Sequence, residues 1–413
     1  MKKIWGLVGQ MLSSATNLVG SIVAAATLDI AAFGYYFVLQ TAFLLALGMS
    51  RGAVGEILLF SSMFSNDEPE SGFMADALRF YLMLGVPFGV IGGLVVWLFL
   101  PVQPAALAII FATLVPAVLV QDYGRYAAFS AGRHDVSAFS DAIWLALLGI
   151  FLFFAGQNAS LATVFGSWAL SGAIAGVVVL LKFRFGLEAG SARRWFRTQR
   201  AHSLRMAAEY MLAPLCRWGL VVFVTVVVGA ETVGLFREAE VLFGPFVVLS
   251  LAAHVTFGPL LSEGAGTHRR YIRRASGAFA AILLGWWAGL RLGLLDVYNG
   301  LVADPATDAV SLLIVTVLSF VVFGRSWQGT YVTVLRSAGN TSASLRVGAV
   351  SAFSGSVLGA VLAMWQGPVG IAVGLGIGYV LGAVVGHIEI RKGQFSSSSL
   401  GTSAVGRRRK EFA

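Results

Sequence analysis

The chain has 413 residues, of which 57% are hydrophobic and only 12% are charged, and its mean hydropathy is +0.81. This is more apolar surface than one soluble core requires, so the composition excludes a soluble globular protein and indicates a polytopic membrane protein. The net charge of +9 does not indicate nucleic-acid binding, because the basic residues are concentrated in alternate loops.

Apolar segments of the length that crosses a bilayer core, about 20 residues, recur along the chain. They predict an all-α polytopic membrane protein with about 12 transmembrane helices. The predicted spans are residues 4–26, 34–60, 78–100, 102–121, 140–156, 160–182, 209–229, 239–261, 275–294, 309–335, 345–365 and 368–388.

Most of the 29 Lys and Arg residues fall in one set of alternate loops and in the two termini, whereas Arg237 and Arg291 lie near helix ends in the opposite set. The positive-inside rule then places both termini in the cytoplasm, and we predict a location in the bacterial inner membrane. Lys2, Lys3 and the apolar run after them imitate a signal peptide. We expect an uncleaved first helix, because its removal would leave an odd number of spans.

The two halves of the sequence resemble each other. Met11 and Gly34 are separated by the same interval as Met211 and Gly234, at an offset of 200 residues. An even number of helices in each half would give both halves the same orientation in the membrane. We therefore predict two pseudo-symmetric six-helix bundles around a central cavity, related by an axis along the membrane normal.

The predicted domains follow from this repeat and from composition. They are an N-terminal lobe (residues 1–182), a cytoplasmic basic linker (183–208), a C-terminal lobe (209–390) and a cytoplasmic tail (391–413). The tail is rich in serine and then arginine, so we expect it to be disordered. The linker has two interpretations: an amphipathic segment with Trp195 and Phe196 in the headgroup region, or an ordinary solvated charged segment.

Arg51, Arg217 and Arg325 lie inside predicted spans. An arginine at the bilayer centre costs about 3 kcal/mol or more, so its presence points to function. Each lies within about ten residues of the predicted cytoplasmic boundary, or roughly 12–15 Å inside at 1.5 Å per residue. We predict a shared anion site; the alternative is three separate structural roles. Glu56 is the deeply placed carboxylate near them, and we expect it to face another helix or the cavity mouth.

Polar residues recur on one face of the first predicted helix, and Gln10 and Asn17 belong to this stripe. The stripe predicts the lining of a hydrated cavity, and the alternative is hydrogen bonding between packed helices. His254 could join the lining, although a lone histidine is more often packed. Pro214 precedes Arg217 by about one turn, and we hypothesise that a bend there contributes to gating.

The sequence contains no HExxH, Walker A or CxxC motif, so we expect no enzyme activity, cofactor or metal site. The lone Cys216 is interpreted as a small packing residue. The glycines that recur every fourth residue in the last predicted helix are interpreted as a packing face, and the GLGIG within it is not a phosphate loop.

The stretch QMLSSATNLVGSIVAAATLDIAAFGYYFVLQTAFLLALGMSRGAVGEILL resembles the opening of bacterial O-antigen and capsular polysaccharide flippases. These form the Wzx-like branch of the multidrug/oligosaccharidyl-lipid/polysaccharide exporter superfamily. VGLFREAEVLFGPFVVL resembles the start of their second lobe. VQDYGRYAAFSAGRHDVSAFSDAIW resembles their connection between the fourth and fifth helices, and it contains the motif residues Asp122, Arg125, Arg133 and Asp141.

The resemblance implies a transporter that carries an undecaprenyl-pyrophosphate-linked oligosaccharide to the outer leaflet for polysaccharide synthesis. Two bundles would alternate between inward-open and outward-open states, with Arg51, Arg217 and Arg325 binding the phosphates. Membrane lipids and polysaccharide assembly proteins would be its partners. The alternatives are a small-molecule exporter of the same superfamily and a non-transporting membrane scaffold of a glycan assembly complex.

Overall fold

A computed structural model describes residues 2–59, 71–156, 159–184, 186–247, 265–302, 312–338 and 340–397. The described part of the chain is helical throughout, apart from short connections. The helices are α1 (Lys2–Thr27), α2 (Ile30–Ser50), α3 (Ser71–Phe99), α4 (Pro104–Ser130), α5 (His134–Ala155), α6 (Leu161–Phe183), α7 (Ala192–Val227), α8 (Ala230–Val241), α9 (Ala265–Gly289), α10 (Leu295–Val302), α11 (Leu312–Ser337) and α12 (Thr341–Ser397).

Regular α-helical geometry is interrupted at three places. The helix begun by α2 continues through a π-helical segment, Arg51–Gly55, and runs as one apolar helix over Ile30–Leu59. A second π-helical segment, Leu290–Leu294, joins α9 to α10. α12 is interrupted at Gly367, where φ is 55° and Pro368 follows, so it consists of two successive helices.

Nine helices in the described residues are long and apolar enough to cross a membrane. The longest, Thr341–Lys392, divides at Gly367 into two, and α1 with 26 residues adds a further helix of spanning length. The predicted span 239–261 lies mostly outside the described residues. The helices are therefore consistent with the predicted set of spans.

Local sequence signals explain where several helices begin and end. The Asp29 carboxylate accepts a hydrogen bond from the Ala32 backbone N–H at 2.8 Å and caps α2. At the end of α4, Arg133 N–H donates to Ala128 O and Gly132, with φ 66°, supplies the left-handed residue of a Schellman turn. The boundaries predicted at 121 and 140 were therefore wrong, because α4 and α5 each extend well into the assumed loop.

Buried apolar side chains form two large clusters, one drawn mainly from α2 to α6 and the other mainly from α7 to α12. α2 contributes to both: Leu39 belongs to the first cluster, and Phe37 and Val38 belong to the second. This helix therefore packs between the two bundles and couples them.

The first turns of α2 and α8 meet in a reciprocal contact. A Cβ atom on Gly34 would collide with the carbonyl oxygen of Ala230, and a Cβ on Gly234 would collide with that of Ile30. Both pairs are related by the 200-residue offset of the sequence repeat. A contact in which each partner plays both roles is the signature of a twofold axis, so the pseudo-twofold axis passes between these helices.

The predicted linker is packed against the N-terminal bundle. Asp76 accepts hydrogen bonds from the Ser191 N–H and from the Arg194 guanidinium, both at 2.7 Å. Trp195 is 1% exposed, and its indole N–H and the Ser203 hydroxyl point at one acceptor, the carbonyl oxygen of Ala53 in the π-helical segment. Neither interpretation of the linker anticipated this, because both placed Trp195 outside the protein.

The linker's helical part also continues without a break into a membrane span as α7. At the other end of the chain, α12 continues through residues 391–397, which were predicted to belong to a disordered tail. Residues 398–413 of that tail lie outside the described residues. The domain boundaries themselves stay predictions.

We predict that Gly34→Ala destabilises the protein by about 1–3 kcal/mol, because the added methyl group overpacks the contact with the Ala230 carbonyl. Gly149→Ala is the matched control, since a Cβ there meets nothing within 4 Å. Thermal unfolding of the purified protein in detergent measures the difference. Equal midpoints for the two variants would show that α2 and α8 do not approach this closely.

Candidate functional site

Three charged side chains of the C-terminal bundle come together at its contact with the N-terminal bundle, and a fourth lies on an adjacent helix. Arg217 lies on α7, Arg237 and Glu240 lie on α8, and Arg325 lies on α11. We call these four residues the interlobe cluster. Three separate helices supply it, so its geometry depends on the packing of the whole bundle.

Glu240 bridges two of the arginines in this cluster. Arg217 Nη2 donates to Glu240 Oε1 at 2.9 Å, and Arg237 Nη1 donates to Glu240 Oε2 at 3.0 Å. About a fifth of each of these side chains is exposed: 19% for Arg217, 18% for Arg237 and 22% for Glu240. Arg325, on the adjacent helix α11, makes no hydrogen bond or ion pair with Glu240 among the described residues, and its side chain is exposed. The cluster therefore combines two arginines held by Glu240 with a third that Glu240 does not hold.

Arg237 also joins the cluster to the N-terminal bundle. Its Nη2 donates to Ser21 Oγ on α1 at 3.0 Å and to Gln40 Oε1 on α2 at 3.1 Å. Its guanidinium carbon lies 4.8 Å from the ring centroid of Phe37, which Arg217 also approaches at 5.5 Å. Arg237 Nε is buried without a hydrogen-bond partner among the described residues. The site thus lies at the lobe interface and retains an unused donor.

The repeat places this cluster on the pseudo-twofold axis. At an offset of 200 residues, Phe37 is the counterpart of Arg237 and Gln40 is the counterpart of Glu240, and Arg237 contacts both. Asn17 is likewise the counterpart of Arg217. At these three positions the N-terminal half is neutral and the C-terminal half is charged.

The cluster has more positive than negative charge. Among the described residues, Glu240 is the one carboxylate that pairs with these arginines, and it pairs with two of the three, Arg217 and Arg237. Charge-assisted hydrogen bonds strengthen in low dielectric, and unbalanced guanidinium groups there are costly without an anion. The arrangement is chemically suited to an anion that can accept several hydrogen bonds.

A second set of buried charges lies inside the N-terminal bundle. Arg51 binds the Asp122 carboxylate through Nε at 3.0 Å and through Nη2 at 2.6 Å. Arg125 lies 3.9 Å from Asp122 and 3.3 Å from Asp141, measured between the paired nitrogen and oxygen atoms. We call these four residues the N-lobe network. Its two arginines are matched by two carboxylates, so it has no net charge.

Uncharged side chains complete the hydrogen bonding of the N-lobe network. The Tyr81 hydroxyl donates to Asp122 at 2.8 Å, and Gln121 Nε2 donates to Asp141 at 3.0 Å. Arg125 Nη1 donates to Ser13 Oγ on α1 at 3.1 Å. The network thereby fastens α1, α2, α3, α4 and α5 together, which is a structural role.

The predicted grouping of three arginines at one depth does not match these contacts. Arg217 lies over Phe37, which is fourteen residues before Arg51 on the same helix, or about 21 Å along its axis. α4 and α5 also bring two carboxylates, Asp122 and Asp141, to the buried arginines Arg51 and Arg125. Arg51 is therefore separate from the interlobe cluster, while Arg217 and Arg325 belong to it.

The polar stripe of α1 connects the two sets of charges. Ser13 accepts a hydrogen bond from Arg125 of the N-lobe network, and Ser21 accepts one from Arg237 of the interlobe cluster. These contacts correspond to the second interpretation of the stripe, hydrogen bonding between packed helices. Asn17, one turn from each, donates to the Ser13 carbonyl of its own helix at 3.1 Å. Gln10 is half-buried. Cavity lining by Gln10 and Asn17 stays a prediction.

Glu56 faces another helix. Its carboxylate accepts a hydrogen bond from the Tyr126 hydroxyl on α4 at 3.3 Å. The sequence predicted either another helix or the cavity mouth, and this contact corresponds to the first. Glu56 is thus held apart from Arg51, whose partner is Asp122.

The other predicted residues lie away from both charged sets. Arg133 pairs at 3.4 Å with Asp135, and both side chains are half exposed. α7 continues through Pro214. Because proline has no backbone N–H, the helical hydrogen bond to the Tyr210 carbonyl is missing, and that carbonyl packs against Gly48 of α2. Gating by Pro214 stays a hypothesis. His254 lies outside the described residues.

Sequence reasoning missed Arg237 and Glu240. Arg237 was assigned to a helix end on the opposite side of the membrane, and Glu240 was not considered. Their three-residue spacing on a helix predicts an ion pair, and the repeat aligns them with Phe37 and Gln40. These two signals together could have indicated a charged site on the symmetry axis.

No protein-family model matches this chain, and no curated protein matches its sequence. Solved structures do match its fold. An inward-facing multidrug resistance MATE family transporter of the MOP superfamily aligns with a TM-score of 0.75 at 14% identity, over 97% of this chain and 100% of that one. The lipid II flippase MurJ in an inward closed conformation aligns with a TM-score of 0.71 at 11% identity, over 94% and 87%.

A third similar structure is a MOP superfamily transporter from Pyrococcus furiosus, described as having a binding pocket of reverse polarity that suggests a different function. It aligns with a TM-score of 0.62 at 15% identity, over 94% of each chain. These similarities confirm the predicted fold class of a two-bundle, all-helical membrane protein. They show the fold of transporters rather than enzymes, and identity this low leaves the substrate to be inferred from the site.

We predict that Asp122→Asn destabilises the protein by about 3 kcal/mol, because it leaves the Arg51 guanidinium without a charged partner in the interior. Asp135→Asn is the control; its exposed pair with Arg133 is worth at most about 1 kcal/mol. Thermal unfolding in detergent compares them. If Asp122→Asn cost no more than Asp135→Asn, the N-lobe network would not have the structural role assigned to it.

Proposed function

We propose that this protein transports an undecaprenyl-pyrophosphate-linked oligosaccharide from the cytoplasmic to the outer leaflet of the bacterial inner membrane, for surface polysaccharide synthesis. The two bundles would expose the substrate site to each side in turn. The fold supports a transporter, and the sequence resemblance to polysaccharide flippases supports the class of substrate.

The observation that carries this proposal is the surplus positive charge of the interlobe cluster. Arg217 and Arg237 share the Glu240 carboxylate where the two bundles meet, and Arg325 adds a third positive charge on the adjacent helix α11. A pyrophosphate diester carries two negative charges and several acceptor oxygens, and guanidinium groups bind such oxygens in pairs. Such a substrate would complete both the charge balance and the hydrogen bonding of the cluster.

The seam between α2 and α8 supports the direction of transport. In the predicted topology, Gly34 and Gly234 lie toward the outer face, and their reciprocal backbone contact closes that side. The inward-facing and inward-closed conformations of two similar structures are consistent with this arrangement. The site would therefore receive its substrate from the cytoplasmic leaflet.

A small-molecule exporter is the second candidate, and the similarity to a multidrug resistance transporter favours it. The surplus positive charge limits that possibility to anionic compounds, because a cationic drug would face like charges in low dielectric. The scaffold alternative predicts no transport at all. A transport assay with defined substrates distinguishes the three.

We predict that purified protein in liposomes exposes a labelled lipid-pyrophosphate sugar to an external reagent. Replacing Arg217, Arg237 or Arg325 singly by Gln should slow this exposure by about 10- to 100-fold, since each loses a charge-assisted contact worth roughly 1.5–3 kcal/mol. Lys variants should retain part of the rate, because they keep the charge without the bidentate geometry.

Arg193→Gln is the matched control, because Arg193 is exposed on the linker part of α7, away from the cluster. It removes the same charge and should leave the rate unchanged. Wild-type rates in all three cluster variants would sink the anion-site proposal. Exposure of an uncharged lipid sugar at the same rate would argue against a phosphate-dependent transporter.

A further inference from the structure

Glu240 occupies the position in the interlobe cluster that an anionic ligand would need. Its two carboxylate oxygens bind different arginines, at 2.9 and 3.0 Å, so one side chain uses donors from both α7 and α8. A ligand oxygen reaching Arg217 or Arg237 would compete with it. Glu240 is therefore an internal anion within the candidate binding site.

The charge of Glu240 determines how much negative charge a ligand needs in order to displace it from the arginines. Glu240 contributes one negative charge and is tethered beside its partners, which gives it a high effective concentration. A free monoanion has the same charge as the Glu240 carboxylate but is not tethered beside the arginines. Replacing Glu240 by such a ligand therefore gives no gain in binding free energy. A dianion offers twice the charge, and its second anionic group could pair with Arg325, whose side chain is exposed.

We propose that Glu240 is a specificity-determining residue, which admits ligands with at least two negative charges and excludes monoanions. This inference rests on the proposed function and assigns to Glu240 the selection of its pyrophosphate-like dianion over monoanions. The pairing of the carboxylate with two arginines and the presence of a third, exposed arginine on the adjacent helix are the features on which it depends.

Displacement of Glu240 has a structural consequence at the lobe interface. The same Arg237 that binds Glu240 also donates to Ser21 and Gln40 of the N-terminal bundle. A dianion that redirects the Arg237 guanidinium would weaken this contact between the bundles. The Arg237 side chain would therefore take part both in selecting the ligand and in releasing the contact between the two bundles.

The test compares P1,P2-dimethyl pyrophosphate, a dianion, with dimethyl phosphate, a monoanion, by calorimetric titration of the full chain in detergent. Wild type should bind the dianion at least about 100-fold more tightly. Glu240→Gln should bind both probes more tightly and reduce that ratio at least about tenfold. Glu231→Gln, on the exposed side of the same helix, should leave the ratio unchanged.

Failure of the inference is distinguishable from failure of the proposed function. If wild type binds the dianion but Glu240→Gln keeps the wild-type ratio, the role of Glu240 is overturned and the anion site stands. If neither protein binds the dianion, the proposed function is overturned together with the inference. Should Glu240→Gln fail to fold, wild type alone decides: equal affinity for the two probes contradicts discrimination by charge.

Discussion

The energetic cost of an arginine charge inside a membrane is the constraint on which this structure depends. A guanidinium cannot lose its proton, so it must be paired, hydrated or bound to a ligand. The N-lobe network meets this requirement internally, with Asp122 and Asp141 opposite Arg51 and Arg125. The interlobe cluster does not, since Glu240 alone pairs with its arginines among the described residues. Charge balance thus distinguishes the arginines of the N-lobe network from those for which we propose a ligand.

The internal repeat explains where the unbalanced charge is located. Gly34 and Gly234 bring α2 and α8 together at the axis, and Phe37 meets its own counterpart, Arg237, a turn further along. Duplication places equivalent residues of the two halves around the axis. If the sequence of one half then diverges, its residues there can become charged while their counterparts stay neutral. At the three aligned positions only the C-terminal half is charged, so a ligand beside them would contact neutral side chains on one side and arginines on the other.

Hydropathy and the repeat were enough to predict the fold class, because the bilayer requires long apolar helices and leaves few alternatives. The site was predicted only in part. Arg217 and Arg325 were found as costly charges, but Arg51 was grouped with them because helix ends were misplaced and Asp122 was assigned to a loop. Pairings between distant helices, such as that of Arg217 with Glu240, depend on packing that no local pattern encodes.

The most direct test of the account is a structure determined by electron cryo-microscopy with undecaprenyl pyrophosphate bound. The account predicts phosphate density within hydrogen-bonding distance of Arg217, Arg237 and Arg325, with the Glu240 carboxylate displaced from both of its partners and the pairing of Arg51 with Asp122 intact. Phosphate density at Arg51, or an undisturbed Glu240 bridge beside a phosphate bound elsewhere, would contradict it.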